Sequence, residues 1–148
     1  MKNDETNDEI ARRILDTNSY VVLATADADG VPWATPVWFA QEDYRRIYWV
    51  SAPDARHSRN IEVRQEIGMV VFDSTVPPNT GQAVYLEATA TRTTDGLDVF
   101  SRVAAAGGTG EWGPERVSGE ARLRLYRADV TAHWILAEDV DVRVPVTP

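Results

Sequence analysis

From Gln82 to Thr93 the side chains alternate with a period of two. Val84, Leu86, Ala88 and Ala90 take one side; Tyr85, Glu87, Thr89 and Thr91 take the other. Successive side chains of a strand point to opposite faces, so this pattern predicts a long strand with one face in a core. A helix would need apolar positions three and four apart. Nothing else in the chain narrows the fold as much, because a strand of that length needs neighbouring strands of similar reach.

Those neighbours are legible. Tyr20 to Thr25 is a β-branched apolar run, and Asp27-Ala-Asp-Gly30 after it has turn chemistry. Val31 to Gln41 reads as a second strand. Pro32 and Pro36 interrupt it, which predicts an edge or bulged strand, since each lacks the ladder N–H. A turn at Glu42 to Arg45 leads to a third strand, Ile47–Ser51, and Gly68–Asp73 is a fourth. Val76 to Gly81 reads as a loop before the long strand. Arg122–Arg127 alternates with one apolar and one cationic face; Val130–Ala137 and Val140–Val146 complete the set.

Three helices are expected. Thr6-Asn-Asp-Glu9 is a capping box, with Ile10, Ile14 and Leu15 as the apolar stripe and an end near Asn18. Ala52 to Ala55 opens a second helix, with Pro53 or Asp54 in its first turn, running to about Gln65. Asp95–Ala106 places Leu97, Phe100 and Val103 on one side, and a surface loop through Gly119 carries Trp112. Six or seven strands with short turns and peripheral helices predict a mainly β fold, an antiparallel barrel. The chain reads as one domain over 1–148, with an N-terminal helix in 1–18 and a C-terminal strand or tail in 138–148.

Composition removes several function classes. There is no cysteine, which excludes disulfides, thiolate metal sites and cysteine nucleophiles. The start is polar and acidic, and no apolar run approaches the roughly 20 residues that cross a bilayer. A cytoplasmic protein without a membrane partner is expected. The net charge is −8, so nucleic acid is not an expected partner either. An anionic ligand needs a local arginine cluster, and five arginines lie between Arg45 and Arg64 against only Asp54 and Glu62.

Motifs for hydrolysis, nucleotide binding and histidine-based metal sites are absent. Paired carboxylates at Asp27/Asp29 and Asp139/Asp141 flank turns and read as solvated. One segment carries chemistry: Ser51-Ala-Pro-Asp-Ala-Arg56-His57-Ser58-Arg59-Asn60-Ile61, a helix start after a strand. Helix N-termini offer unpaired N–H groups to anions. Arg56 and Arg59 share a face, and Ser58 adds a hydroxyl. The spacing fits a phosphate; it also fits a solvated helix whose arginines pair with Asp54 or Glu62.

The succession Thr35-Pro-Val-Trp-Phe39, Ile47-Tyr-Trp-Val-Ser51, His57-Ser-Arg-Asn-Ile61, Gly68-Met-Val-Val-Phe72 and Val84-Tyr-Leu-Glu-Ala-Thr-Ala90 resembles the pyridoxamine-phosphate-oxidase-like flavin-binding split-barrel family. The likeness runs over roughly residues 8 to 137. It implies a homodimer with FMN at the interface, acting as an oxidoreductase on a small organic molecule. Arg56, His57, Ser58 and Arg59 would hold the FMN phosphate. The backbone of Thr35, Pro36, Val37 and Trp38, with that of Trp49, Val50, Ser51 and Ala52, would line the ring. Gln82 would stand near the flavin, and Trp112, His133 and Trp134 would reach it from the partner subunit.

Two departures matter. His57 stands where the family often has lysine, and nothing after Ala137 resembles the C-terminal substrate-phosphate motif of the vitamin oxidases, so pyridoxamine phosphate is not the expected substrate. Three alternatives stay open. They are the deazaflavin F420, a non-catalytic flavin or haem module with His57 or His133 on the iron, and a barrel without cofactor. Trp38 and Trp49 read either as core or dimer contacts or as partners stacked on the flavin.

Overall fold

In chain order the elements are α1 (Asn7–Thr17), β1 (Tyr20–Ala26), β2 (Pro32–Trp38), β3 (Ala40–Glu42), β4 (Arg46–Ser51), α2 (Arg56–Val63), β5 (Glu66–Phe72), β6 (Ala83–Arg92), α3 (Leu97–Ala106), β7 (Arg124–Leu136) and β8 (Arg143–Val146). They come from a computed structural model that describes residues 4–78, 80, 82–137 and 140–148. The strands form one antiparallel sheet in the order β2-β1-β5-β6-β7-β4-β3, with β8 added to β7. β2 and β3 end this path yet are joined through Phe39, so the sheet curls into a half-barrel. β2 and β4 approach each other without pairing. That seam is the split.

The capping box forms as expected: Thr6 accepts from Glu9 N–H, and the Glu9 carboxylate accepts from Thr6 N–H at 2.8 Å. Ala11, Ile14 and Leu15 then plug the barrel interior. Inside it lie Val21 and Leu23 of β1, Ile47 and Trp49 of β4, Met69 and Val71 of β5, and Val84, Leu86, Ala88 and Ala90 of β6. α3 covers the outer face of the β4–β7 half through Val99, Phe100 and Ala104, packed on Tyr48 and Leu125. Its start is fixed by Gly96 at φ 95°. A Cβ there would run into the Tyr48 ring.

Several boundaries differ from expectation. The proposed second strand breaks at Phe39 into β2 and β3, and Asp43 and Tyr44 take left-handed φ in the turn that follows. The described residues form eight strands, not six or seven. Most of Arg122–Arg127 and of Val130–Ala137 lies in one strand, β7, with Arg122, Leu123 and Ala137 outside its ends. Its register against β6 shifts between Glu87 and Ala88, so that Thr131 is skipped. The bulge moves the inward set from Tyr126 and Ala128 to Ile135, and no single period runs through the segment. Arg122–Arg127 also lacks the expected cationic face. Tyr126 enters the core, Leu125 lies under α3, and Arg124 is tied to the carbonyls of Gly119, Ala121 and Leu123. Of the Val76–Gly81 loop, Asn79 and Gly81 lie outside the described residues, as do Glu138 and Asp139 of the C-terminal stretch.

Candidate functional site

The ladder phase decides which main-chain groups of β2 and β4 point into the split. Two bonds flanking the β1–β2 ladder set its phase: Asp27 N–H donates to Val31 O, and Phe39 N–H to Ser19 O, both at 3.1 Å. Bonded pairs alternate along an antiparallel ladder. Trp33, Thr35 and Val37 therefore turn their main-chain groups toward β1, while Pro32, Ala34, Pro36 and Trp38 turn theirs outward. Both prolines sit where a missing N–H interrupts no bond, as the edge-strand reading required. Of the four β2 residues assigned to the ring, only Trp38 presents an outward N–H; Ala34 is the other outward donor. On β4, Val130 N–H donates to Arg45 O at 2.8 Å, which sends Ile47, Trp49 and Ser51 toward β7. Val50 then faces the seam, past the end of β3.

α2 stands at one end of this seam, against β1, β2 and β6. It starts at Arg56, later than expected. Pro53 and Asp54 lie in the preceding turn, closed by Ala55 N–H on Ala52 O at 3.1 Å, and the helix ends at Val63. Ala55 caps it without a side-chain bond, and no acidic residue lies in the first turn. The N-terminal amides and the positive dipole end are thus unneutralised.

The arginine cluster divides by partner. Arg46 pairs with Glu42 at 3.2 Å, and Arg64 donates to Asp27 O at 3.4 Å. Arg56 and Arg59 are exposed and form no ion pair among the described residues. The solvated-helix reading needed Asp54 or Glu62 as their partner, but Asp54 forms no ion pair among the described residues and Glu62 pairs with Arg92 of β6 at 3.6 Å. Arg56 lies over the Trp33 ring, its guanidinium carbon 4.3 Å from the centroid. Trp33 was not foreseen. Its signal was the alternation that puts it on the face of Thr35 and Val37, turned toward α2.

The remaining helix residues face inward. Ser58 is fully enclosed and its Oγ has no partner, so its hydroxyl does not join the surface that the arginines present. Asn60, a motif residue with no role assigned from sequence, is 4 % exposed and donates to Thr25 Oγ1 at 3.0 Å. That bond pins α2 to β1. Asn60→Ala strands the Thr25 hydroxyl and should destabilise the fold by about 1–3 kcal/mol. Urea unfolding measures this, and a midpoint unchanged from the parent would remove Asn60 from that role.

His57 is half-buried, with Nε2 2.8 Å from Ser51 Oγ. Burial lowers its pKa, so the imidazole is neutral at pH 7 and the charge of this site rests on Arg56 and Arg59. Burial likewise lowers His133, whose Nε2 lies 2.6 Å from Tyr44 O in the β3–β4 turn. Both folded values lie below the unfolded one, about 6.5, so the folded chain binds fewer protons in that range. Stability should be fully present above pH about 6.5 and fall as pH drops through the folded pKa values. Melting temperatures from pH 7.5 to pH 5 test this, and His57→Gln should flatten the slope.

Other expected site residues are not gathered here. Trp49 is 0 % exposed and stacks on Tyr126 inside the barrel, centroids 6.0 Å apart and planes at 9°, so its side chain is core and not a flavin partner. Trp38 packs edge-on against Phe100 at 5.3 Å, and Val50 joins the same cluster. Gln82 sits at the far end of the barrel. It directly precedes β6, whose first residue Ala83 pairs with Phe72, and its Oε1 accepts from Arg13 at 3.1 Å, whereas α2 lies near Arg92. Trp112 packs on Phe100 beneath Arg116.

Among the described residues no helix packs on the outer face of the β1–β5–β6 half. Tyr20, Val22, Ala24, Pro36, Val70, Phe72, Tyr85 and Trp134 form a continuous apolar surface there by register, with Tyr20 60 % and Phe72 47 % exposed. A groove of about 580 Å³ runs over it.

The chain matches the family model for pyridoxamine 5'-phosphate oxidase over residues 7–133. It belongs to that family. Solved structures agree on the split-barrel fold of the pyridoxamine 5'-phosphate oxidase family. The haem storage protein HutZ from Vibrio cholerae is 18 % identical, with 84 % of this chain and 90 % of that one covered and a TM-score of 0.65. A haem-binding protein from Mycobacterium smegmatis is also 18 % identical, with 99 % of this chain and 60 % of that one covered and a TM-score of 0.72. An F420 reductase is 19 % identical, with 90 % and 98 % covered and a TM-score of 0.62. At such identity these likenesses carry the fold alone. No curated protein matches the chain. No helix among the described residues is long and apolar enough to cross a membrane.

Proposed function

We propose that this chain binds FMN along its β2–β4 seam and acts as a flavin-dependent oxidoreductase on a small organic molecule. The carrying observation is the pair Arg56 and Arg59, exposed and with no carboxylate partner among the described residues, at a helix N-terminus without a side-chain cap in an otherwise acidic protein. Their guanidinium forks and the amides of α2 would hold the phosphate. The Trp38 and Val50 main chain would meet the edge of the ring, and Ser51 with His57 would stand between ring and phosphate. FMN, when bound, supplies the redox chemistry, while the protein supplies binding and polarisation. Donors at the split favour negative charge on a ring held there.

A second copy completes the site in this reading. The bare apolar face is continuous with β2, and a contiguous apolar surface of this kind marks an interaction site. It carries Trp134, one of the residues expected to reach the partner's cofactor. Both histidines already engage Nε2, so an iron ligand would have to use Nδ1, which disfavours haem.

The deciding measurement is the absorption spectrum and solution mass of the purified protein. A flavin band near 450 nm (about the usual position for bound flavin) and a dimer mass are expected. A Soret band, tight F420 binding in titration, or a chain that takes up neither cofactor would overturn the FMN assignment.

A further inference from the structure

We propose that a second cavity, between the C-terminal ends of α1 and α3, binds a small organic cation: an amine with an apolar body. The cavity measures about 410 Å³, within the size range of small-molecule sites, roughly 300–1,000 Å³. Asp16, Asn18 and Gln41 give it a polar wall, and Trp38, Phe39 and Val103 an apolar one.

Three features set the sign of the ligand. The Asp16 carboxylate is held in place, accepting from Gln41 Nε2 at 3.1 Å and from Tyr44 Oη at 2.8 Å, which leaves a lone pair on each oxygen. Both helices end on the cavity, and neither carries a basic side chain in its last turn, so no cation offsets their negative dipole ends, although Asn18 Nδ2 donates to Ile14 O and Thr109 Oγ1 to Ala104 O. Among the described residues no lysine, arginine or histidine lines the cavity, which therefore suits no phosphate ester or carboxylate. Arg12, one turn before Asp16, acts on the Tyr44 hydroxyl and offsets part of the charge, but it is not in the lining. The Trp38 indole, fixed edge-on by Phe100, offers a wall that attracts cations within about 6 Å.

This site does not depend on the FMN reading, since none of its polar lining residues belongs to α2. Trp38 connects the two, with its side chain here and its N–H on the split. The test uses three probes of equal size on the protein without added flavin: benzylamine, benzyl alcohol and benzoate, followed through the Trp38 indole N–H signal. Benzylamine should saturate it, benzyl alcohol should bind at least tenfold more weakly, and benzoate should leave it unmoved. Asp16→Asn should weaken benzylamine about tenfold. Equal affinities for the three probes, no saturation with benzylamine, or unchanged binding to Asp16→Asn would overturn the proposal. The probe series decides even if the variant fails to fold. Failure of FMN to bind would leave this result standing and would refute only the cofactor assignment.

Discussion

Replacing Arg56 or Arg59 by alanine should weaken FMN binding about 10- to 100-fold each, while riboflavin, which lacks the phosphate, should bind both variants as it binds the parent. The estimate follows from about 1.5–3 kcal/mol for a hydrogen bond to a charged group. The reason for a large effect is the isolation of these side chains. Of the other cations in the 45–64 stretch, Arg46 pairs with Glu42, Arg64 donates to a main-chain carbonyl, Arg45 lies in the β3–β4 turn beside His133 and not on α2, and His57 is neutral through burial. Little positive charge remains at α2 once the two guanidinium groups are gone.

Trp33→Leu should produce a smaller loss with the same selectivity. It removes the surface on which Arg56 rests at 4.3 Å without touching the charge. Fluorescence titration of the flavin against each variant measures all three. Equal losses for FMN and riboflavin would mean that the arginines support the fold and do not hold a phosphate.

Trp49→Ala should lower stability by about 3–5 kcal/mol, the range for deleting a large buried aromatic side chain. Trp49 is fully buried, stacked on Tyr126, and bounded by the interior faces of β4 and β7, which cannot both collapse into the space. Against a usual total of 5–15 kcal/mol this is a large share. Trp49→Phe should lose much less. It keeps an aromatic ring and removes an indole Nε1 that has no partner in the barrel. Urea midpoints for the two variants test the ordering. If Trp49→Ala unfolded like the parent and instead altered bound flavin, the indole would belong to the cofactor site and not to the core.

Much of the barrel was legible because it rests on short-range rules. The α1 capping box needs only Thr6 and Glu9 at their spacing, and β6 needs only its alternation, which the burial of Val84, Leu86, Ala88 and Ala90 bears out. Pro32 and Pro36 announced an edge strand because a proline N–H is missing wherever the strand sits; that both face outward follows from the phase of the β1 ladder. The merged β7 was not legible, since a bulge opposite Glu87 and Ala88 exchanges its inward positions and a periodic reading splits it in two.

The site divides along the same line. Local spacing determined that two arginines, a histidine and a serine would open a helix after a strand, that the chain is acidic elsewhere, and that no thiol takes part. Only the folded chain decided which of those groups are available. Ser58 is enclosed, His57 is neutralised by burial, Gln82 lies at the other end of the barrel, and Trp49 is core. Asn60 and Trp33 matter instead, one through Thr25 and the other through Arg56, partners 35 and 23 residues away in sequence. Availability depends on desolvation and on partners brought in from distant strands. Neither quantity is encoded in the spacing of one segment.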